Sequence, residues 1–398
     1  MMMNQVIETA EALEGEIREI REHLHRHPEL SHHEERTSAT VADFLRDLGL
    51  KVRTGLGGHG VVGVLEGAAP GRVLGLRADM DALPVDDKKE TSYRSETPGV
   101  CHACGHDVHM AVGLGTAKLL HRLRDRWSGT VKFVFQPAEE SPIGGAEQMI
   151  VDGALDAPRP EAMLACHVYP YYMHGSIAVR YGVMTAAARN FEIEILGRGG
   201  HASRPHEAVD AIWIASQVLS GIHTLISRSH NPFDVAVIAI GKIQGGTAPN
   251  VIADRVRIEG TIRTMTEEAQ EPIARQIEQV ARGVTTGFGA DYRTHFDKLF
   301  PPVECDAQVT GLVEASAREI LGDDRVERIG SVVMGADDFS FFARQVPATY
   351  FRLGAATPDQ PDLYPLHHHQ FDVGRRTLVT GMKVMAWTAL RFLDTPKP

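Results

Sequence analysis

Five segments of this 398-residue chain concentrate the side chains that can do chemistry. The apolar run 73–78 ends in Asp79-Met80-Asp81, the run 131–136 leads into Glu139-Glu140, and the run 162–166 leads into His167. A fourth segment, CHACGHDVH at 101–109, carries Cys104 and His106 one glycine apart, and a fifth is the triplet His367-His368-His369. Thiolate, imidazole and carboxylate together are the ligand set of a zinc-like or mixed zinc, manganese or cobalt site, and the Cys104/His106 pair could reach one or two ions. The adjacent carboxylates Glu139 and Glu140 suggest divided labour, one holding metal and the other acting as general base on metal-bound water. That is the layout of a hydrolase.

These residues are far apart in sequence, so the elements around them must bring them together. Val6, Ala10, Leu13, Ile17, Ile20 and Leu24 recur at helical spacing until Pro28, and a second helical run covers 37–50. Short apolar strands at 61–65, 73–78, 131–135 and 162–166 then alternate with a long helix at 108–124, which predicts an α/β sheet covered by helices. In such a sheet, ligands bind beyond the carboxyl ends of the strands, where three of the five segments fall. From about 184 the texture changes. A strand at 191–196, a helix at 208–226, strands at 235–243 and 251–264, a helix at 267–282 and a strand at 291–296 give the order β-α-β-β-α-β of a ferredoxin-like unit. The chain then returns to a helix at 309–321, a strand at 348–352 and a helix at 376–393.

Each signal has a plainer reading. The CHAC stretch could be a redox or structural-zinc pair, the two glutamates a solvated strand end, and His167 a core residue. Their common placement at strand ends strengthens the joint reading. The histidines at 23, 25, 27, 32 and 33 read as a partly solvated helix end, where imidazolium is favourable without any metal.

Composition excludes several classes. Lys plus Arg is 41 against Asp plus Glu 52, a net charge of −11 that disfavours nucleic-acid partners, and no apolar run approaches membrane-spanning length. Four cysteines in so long a chain suit reduced thiols, and Glu8, Glu11, Glu14, Glu16 and Glu19 give the amino terminus the wrong charge for a signal or transit peptide. The expectation is a cytoplasmic protein acting on a small molecule, with neither nucleic acid nor membrane as partner.

The motifs LHRHPELS (24–31), RADMDALP (77–84), CHACGHDVH (101–109), QPAEE (136–140), GGHASRPH (199–206), APNVI (248–252), MGADDF (334–339) and Leu366-His367 resemble the M20 metallopeptidases. The resemblance is to their aminoacylase, hippurate hydrolase and auxin-conjugate hydrolase branch, and it spans about residues 15–393. It implies an α/β fold: a zinc-peptidase-like catalytic domain, residues 1–183 and 299–398, with an inserted ferredoxin-like α+β lid and dimerisation domain at 184–298. Two divalent ions per subunit are implied, Zn²⁺ or Mn²⁺ with Co²⁺ or Ni²⁺ also suitable. Cys104 would bridge them, with His106 and His167 on one and Glu140 and His367 on the other. Glu139 would be general base and proton shuttle for a metal-bridged hydroxide attacking the amide of an N-acyl amino acid, hippurate-like or N-acetylated. His201 would supply a donor to the oxyanion, Asn250 and Arg263 would hold the substrate carboxylate, and Asp81 would orient a ligand histidine. A homodimer or homotetramer through the lid is implied as well.

Two departures stand out. His368 and His369 replace the small residue and proline usual after the last ligand, so His367 is preferred because it directly follows Leu366. Asp337-Asp338 stands where the branch more often has serine or glutamate before its aspartate. A dipeptidase or exopeptidase on the same scaffold is the nearest alternative, and a non-catalytic metal-binding protein a more distant one. A zinc nucleobase deaminase is disfavoured, because the H-x-E element it needs is missing beside Cys101.

Overall fold

The computed structural model of the chain describes residues 1–358 and 364–396. They form two compact units. The larger comprises Met1–Met184, Glu304–Ser331 and Asp338–Pro398, and the smaller Thr185–Val303 with Val332–Asp337.

The larger unit is built on an eight-stranded sheet in the spatial order Lys51–Leu56, Gly60–Glu66, Thr130–Gln136, Val73–Asp79, Ala162–Met173, Ala348–Ala356, Ile177–Val179, Val326–Arg328. Its centre is parallel: Val73–Asp79 runs alongside both Thr130–Gln136 and Ala162–Met173, and the last of these alongside Ala348–Ala356. Parallel strands buried on both faces read as continuous apolar runs, which is why these four are legible in the sequence. Strand Lys51–Leu56 is not, because five of its six side chains are exposed or half-exposed on the sheet edge. Ile177–Val179 and Val326–Arg328 are only three residues each.

One expectation is corrected here. His167 does not terminate its strand; Ala162–Met173 carries it in the interior, because pairing with Ala348–Ala356 continues past Arg352↔His167 to Ala356↔Met173 after a register irregularity at Gly354. Helix Met2–Arg26 buries Val6, Ala10, Leu13, Ile17 and Leu24, and packs with helices His106–Arg122 and Thr377–Asp394 over the sheet.

Helix Ala307–Leu321 buries an ionised carboxylate. Glu314 accepts hydrogen bonds from Arg328 (2.9 Å), Arg318 (2.9 Å) and Tyr181 (2.7 Å), and the Arg328 hydrogen bond foremost pulls its pKa down to about 2. A folded-state pKa below the unfolded value contributes stability that is complete above about pH 4.5 and is lost as pH falls toward 2. Glu314→Gln should therefore lower the melting temperature at pH 7, with the gap to wild type closing on acidification through that window. A gap that stays constant with pH in thermal scans refutes the assignment.

The smaller unit is a four-stranded antiparallel sheet, ordered Ala236–Gly245, Arg255–Thr264, Ala187–Leu196, Asp291–Phe296. Helices Ala211–Arg228 and Gln270–Gly287 cover it through a core that includes Phe191, Ile193, Ile214, Val218, Ile258 and Ile277. Asp210 caps the first helix by accepting from the backbone N–H groups of Ile212 and Trp213. The β-α-β-β-α-β order is as the periodicity predicts, but the expected boundary at 298 falls short. Phe300 pairs with Ala188 and the Val303 N–H donates to Thr185, so the unit extends to Val303. Segment Val332–Asp337 joins it as well, through the Ala186 N–H to the Gly335 carbonyl and Arg263 to the Met334 carbonyl. No helix among the described residues is long and apolar enough to cross a membrane.

Candidate metal centre

Strand ends and one helix start build the site in the larger unit. The register pairs Asp79 with Gln136, which sets Asp81 and Glu139-Glu140 beyond adjacent parallel strands. Helix His106–Arg122 begins after Gly105, whose φ of +82° only glycine adopts freely; a Cβ there would also lie 2.3 Å from a Val168 methyl. The loop from Cys104 can thus turn into the helix with Val168 packed against it.

Hydrogen bonds set the direction of each ring. His106 donates from Nδ1 to the Asp81 carbonyl at 2.8 Å, with the Asp81 carboxylate at 3.3 Å, which turns Nε2 toward the cluster without a hydrogen-bond partner. His167 donates from Nδ1 to the Val168 carbonyl at 2.7 Å, and its Nε2 lies 3.4 Å from Cys104 Sγ. The other oxygen of Asp81 accepts from the Glu140 backbone N–H at 2.9 Å and from Ser31 at 2.7 Å, so one residue orients His106 through its carbonyl and holds the glutamate pair through its carboxylate. His367 Nε2 is 3.2 Å from Glu140 Oε1.

Two non-glycine residues of the site have left-handed backbone. Ala138, immediately before Glu139, has φ +56° and donates its N–H to buried Glu34 at 2.8 Å. His367 has φ +67° and donates its N–H to the Ala103 carbonyl at 2.8 Å. Such conformations cost about 1–3 kcal/mol each and persist where surrounding contacts enforce them. Of the three consecutive histidines, it is His367 that lies against Glu140.

The donor atoms form two overlapping sets. Cys104, His106 and His167 lie within 4.8 Å of one another, as do Cys104, Glu140 and His367. A third set joins His106 to Glu139 and Glu140, and a fourth His106 to Asp79 and His109. His106 Nε2 and Glu140 Oε1 are buried without a hydrogen-bond partner, as donor atoms meant for a cation would be. Electrostatics agrees. Burial, then Glu140 and Glu139, pushes the Cys104 thiol well above its usual range. Burial opposes charging His106, but Asp79, Asp81 and Glu140 outweigh it and raise its pKa to about 10. Burial, then His109 and Arg352, holds His167 well below its usual value and therefore neutral. The cluster carries carboxylates whose charge divalent cations would neutralise, and with Cys104 in two of its donor sets its residues fit two such ions. Cys101 differs in belonging to none of these sets, although burial pushes its thiol up as well, to about 11.

Sequence reasoning missed several residues around the centre. His109 donates from Nδ1 to Asp79 at 2.6 Å and accepts the Val168 N–H on Nε2 at 2.9 Å, tying the strand next to His167 to the helix. The i,i+3 spacing from His106 was the available signal. Asp79 is itself paired with Arg77 at 2.5 Å. His25 is not part of a solvated helix end. It is buried between Asp107 (2.8 Å) and Asp87 (3.2 Å), and Arg21, one turn earlier, meets Asp107 (2.6 Å) and Asp372 (2.8 Å). That network anchors the start of the ligand-bearing helix to the first helix.

The remaining predicted residues lie in the smaller unit. His201 is exposed on the two-residue strand Gly200–His201, paired with Val251–Ile252. Its Nδ1 accepts from the Ser203 N–H at 3.1 Å, so in the neutral ring the proton sits on Nε2 as a donor. Asn250 is exposed, and with His201, Glu194, Arg255 and Arg257 it lines a cleft of about 900 Å³. Arg263 is half-buried, donates to the Met334 carbonyl at 3.1 Å and does not line that cleft.

A profile of peptidase family M20/M25/M40 matches residues 75–391. An N-acyl-L-amino acid amidohydrolase of Geobacillus stearothermophilus is 40% identical over 283 residues, covering 71% of this chain and 76% of that protein. Thermostable carboxypeptidase 1 of Saccharolobus solfataricus is 35% identical over 396 residues, covering 97% and 99%. The crystal structure of a dinuclear metal-binding peptidase of the M20 family from Bacillus subtilis superposes with a TM-score of 0.80 at 30% identity, covering 97% of this chain and all of that one.

Proposed function

The chain belongs to peptidase family M20/M25/M40, and on that premise we propose that it is a metal-dependent amidohydrolase cleaving the amide bond of N-acyl amino acids. The observation that carries the reading is the pair of donor sets sharing Cys104. We assign His106 and His167 to one divalent ion, Glu140 and His367 to the other, and the Cys104 thiolate to both; zinc and manganese suit these donors best. When bound, the ions supply Lewis acidity and make water nucleophilic at neutral pH.

The residues of the chain do the rest. Glu139 takes the proton of the attacking water and delivers it to the leaving nitrogen, a task for a carboxylate that is not itself committed to metal. Asp81 keeps His106 in the tautomer that presents Nε2. His201 offers its Nε2–H to the oxygen that becomes anionic, while Asn250 and Arg263 take the substrate carboxylate. These lid assignments rest on the family motifs. The test is a screen of acetyl, benzoyl and longer acyl amino acids against metal-stripped protein, with metals added back singly. Chelated protein that turns over as fast as reloaded protein would sink the mechanism.

Carboxypeptidase action is the second reading, favoured by the full-length likeness to an enzyme of that name. Dipeptides with a free α-amine, assayed beside their N-acetyl counterparts, separate the two. A reducing, cytoplasmic setting suits a thiolate ligand and four unpaired buried cysteines.

We also propose a homodimer through the inserted unit. Strand Ala236–Gly245 is an edge with Val237 and Ile243 40% and 50% exposed, an open row of backbone donors and acceptors. Val237→Lys with Ile243→Lys should convert a dimer to a monomer in light-scattering chromatography. An unchanged mass refutes this interface.

A further inference from the structure

Three arginines are buried among the described residues: Arg21, Arg77 and Arg352. Two sit in ion pairs, Arg21 with Asp107 and Asp372, and Arg77 with Asp79 and Asp338. Arg352 is only 5% exposed, yet no carboxylate among the described residues comes within ion-pairing distance of it. Its guanidinium carbon lies 4.8 Å from the ring centre of Tyr169 and 5.0 Å from that of Tyr350. Stacking of this kind satisfies the face of a guanidinium and leaves its edge, where all five N–H donors lie. On that edge Nη1 reaches only the Tyr350 hydroxyl, at 3.4 Å, and the buried Nε has no partner.

The place of this cation matters. Arg352 and His167 are in register on neighbouring parallel strands. Registered neighbours stand about 4.8 Å apart and present their side chains to the same face of the sheet. The guanidinium therefore belongs to the row of side chains that carries His167, whose Nε2 is 3.4 Å from Cys104. A buried cation without a counter-ion is unfavourable unless a ligand supplies the anion, and a planar fork of donors is matched by a carboxylate.

We propose that Arg352 is a carboxylate-recognition residue of the catalytic unit, receiving a carboxylate of the substrate beside the metal centre. This rests on the amidohydrolase reading, and it adds a cationic contact from the larger unit to those assigned to Asn250 and Arg263. The carboxylate could be the α-carboxylate of the amino acid or a second one on its side chain.

The test uses metal-loaded wild type, Arg352→Met and Arg352→Lys on N-acetylleucine, N-acetylglutamate and N-acetylleucinamide, with metal content and melting temperature measured alongside. Arg352→Met should raise KM for the carboxylate substrates about 10–100-fold. If the α-carboxylate is the ligand, both acids suffer and the amide does not; if it is the second carboxylate, N-acetylglutamate alone suffers. Arg352→Lys should recover part of the loss. Stability should be held or improved in Arg352→Met, since replacing an unpaired buried charge by packing is not destabilising, whereas a purely structural role predicts a lower melting temperature. Equal loss on all three compounds, or loss on none, overturns the proposal. Should wild type hydrolyse none of them, the amidohydrolase reading fails by itself. Calorimetric titration of the same compounds then decides the Arg352 proposal: carboxylate-dependent binding that weakens in Arg352→Met supports it, and binding indifferent to the substitution overturns it.

Discussion

Glu139→Gln should lower kcat by about 10²–10⁴-fold, the range that a positioned general base contributes, while the protein keeps two metal ions. The geometry separates the two adjacent glutamates. Glu140 Oε1 lies 3.2 Å from His367, has no hydrogen-bond partner and shares a donor set with Cys104, whereas Glu139 Oε2 lies 3.8 Å from His106 Nε2 and shares no donor set with Cys104. Both belong to a segment anchored by the Glu34–Ala138 and Asp81–Glu140 hydrogen bonds. The amide of glutamine is close in size to the carboxylate, so the backbone should not shift, but it cannot accept and return a proton. Glu140→Gln should do the reverse and release metal. Elemental analysis beside steady-state kinetics checks both, and loss of metal from the Glu139 variant would mean that the two roles are exchanged.

Cys104→Ser is expected to have the largest effect on metal content. The thiolate belongs to both donor sets, so its removal weakens both at once, and a serine hydroxyl is far harder to deprotonate than a thiol. Metal per chain should fall below one. A ligand at a thousand times its Kd stabilises the native state by about 4 kcal/mol. Added metal should therefore raise the melting temperature of chelated wild type and leave that of the variant nearly unmoved. Cys101→Ser is the control, since Cys101 is buried outside the donor sets and should be lost without change in metal content. Two ions retained by Cys104→Ser would show that the thiolate is not shared.

Much of the architecture is legible in the sequence because burial writes itself into periodicity. The central parallel strands are apolar throughout, and helix Met2–Arg26 places Val6, Ala10, Leu13 and Ile17 on one face. The exposed edge Lys51–Leu56 leaves no such trace. Nor does the end of a strand that stops only when its partner does, which is why His167 looked terminal and is not.

The sequence by itself determined the chemistry available: a thiol, imidazoles and carboxylates at strand and helix ends, in the order of the M20 motifs. Tertiary structure decided what those groups face. Register brought Asp81, Cys104, Glu140, His167 and His367 together, and backbone carbonyls at Asp81 and Val168 chose which nitrogen of His106 and of His167 faces the cluster. It also turned His25 from an expected surface residue into the link between Asp107 and Asp87. Arg352 it left buried without a counter-ion among the described residues, beside a predicted ligand. Residue type is a local property that can be read in order along a chain, whereas tautomer, pairing and desolvation depend on neighbours that are distant in sequence and fixed only when the strands align.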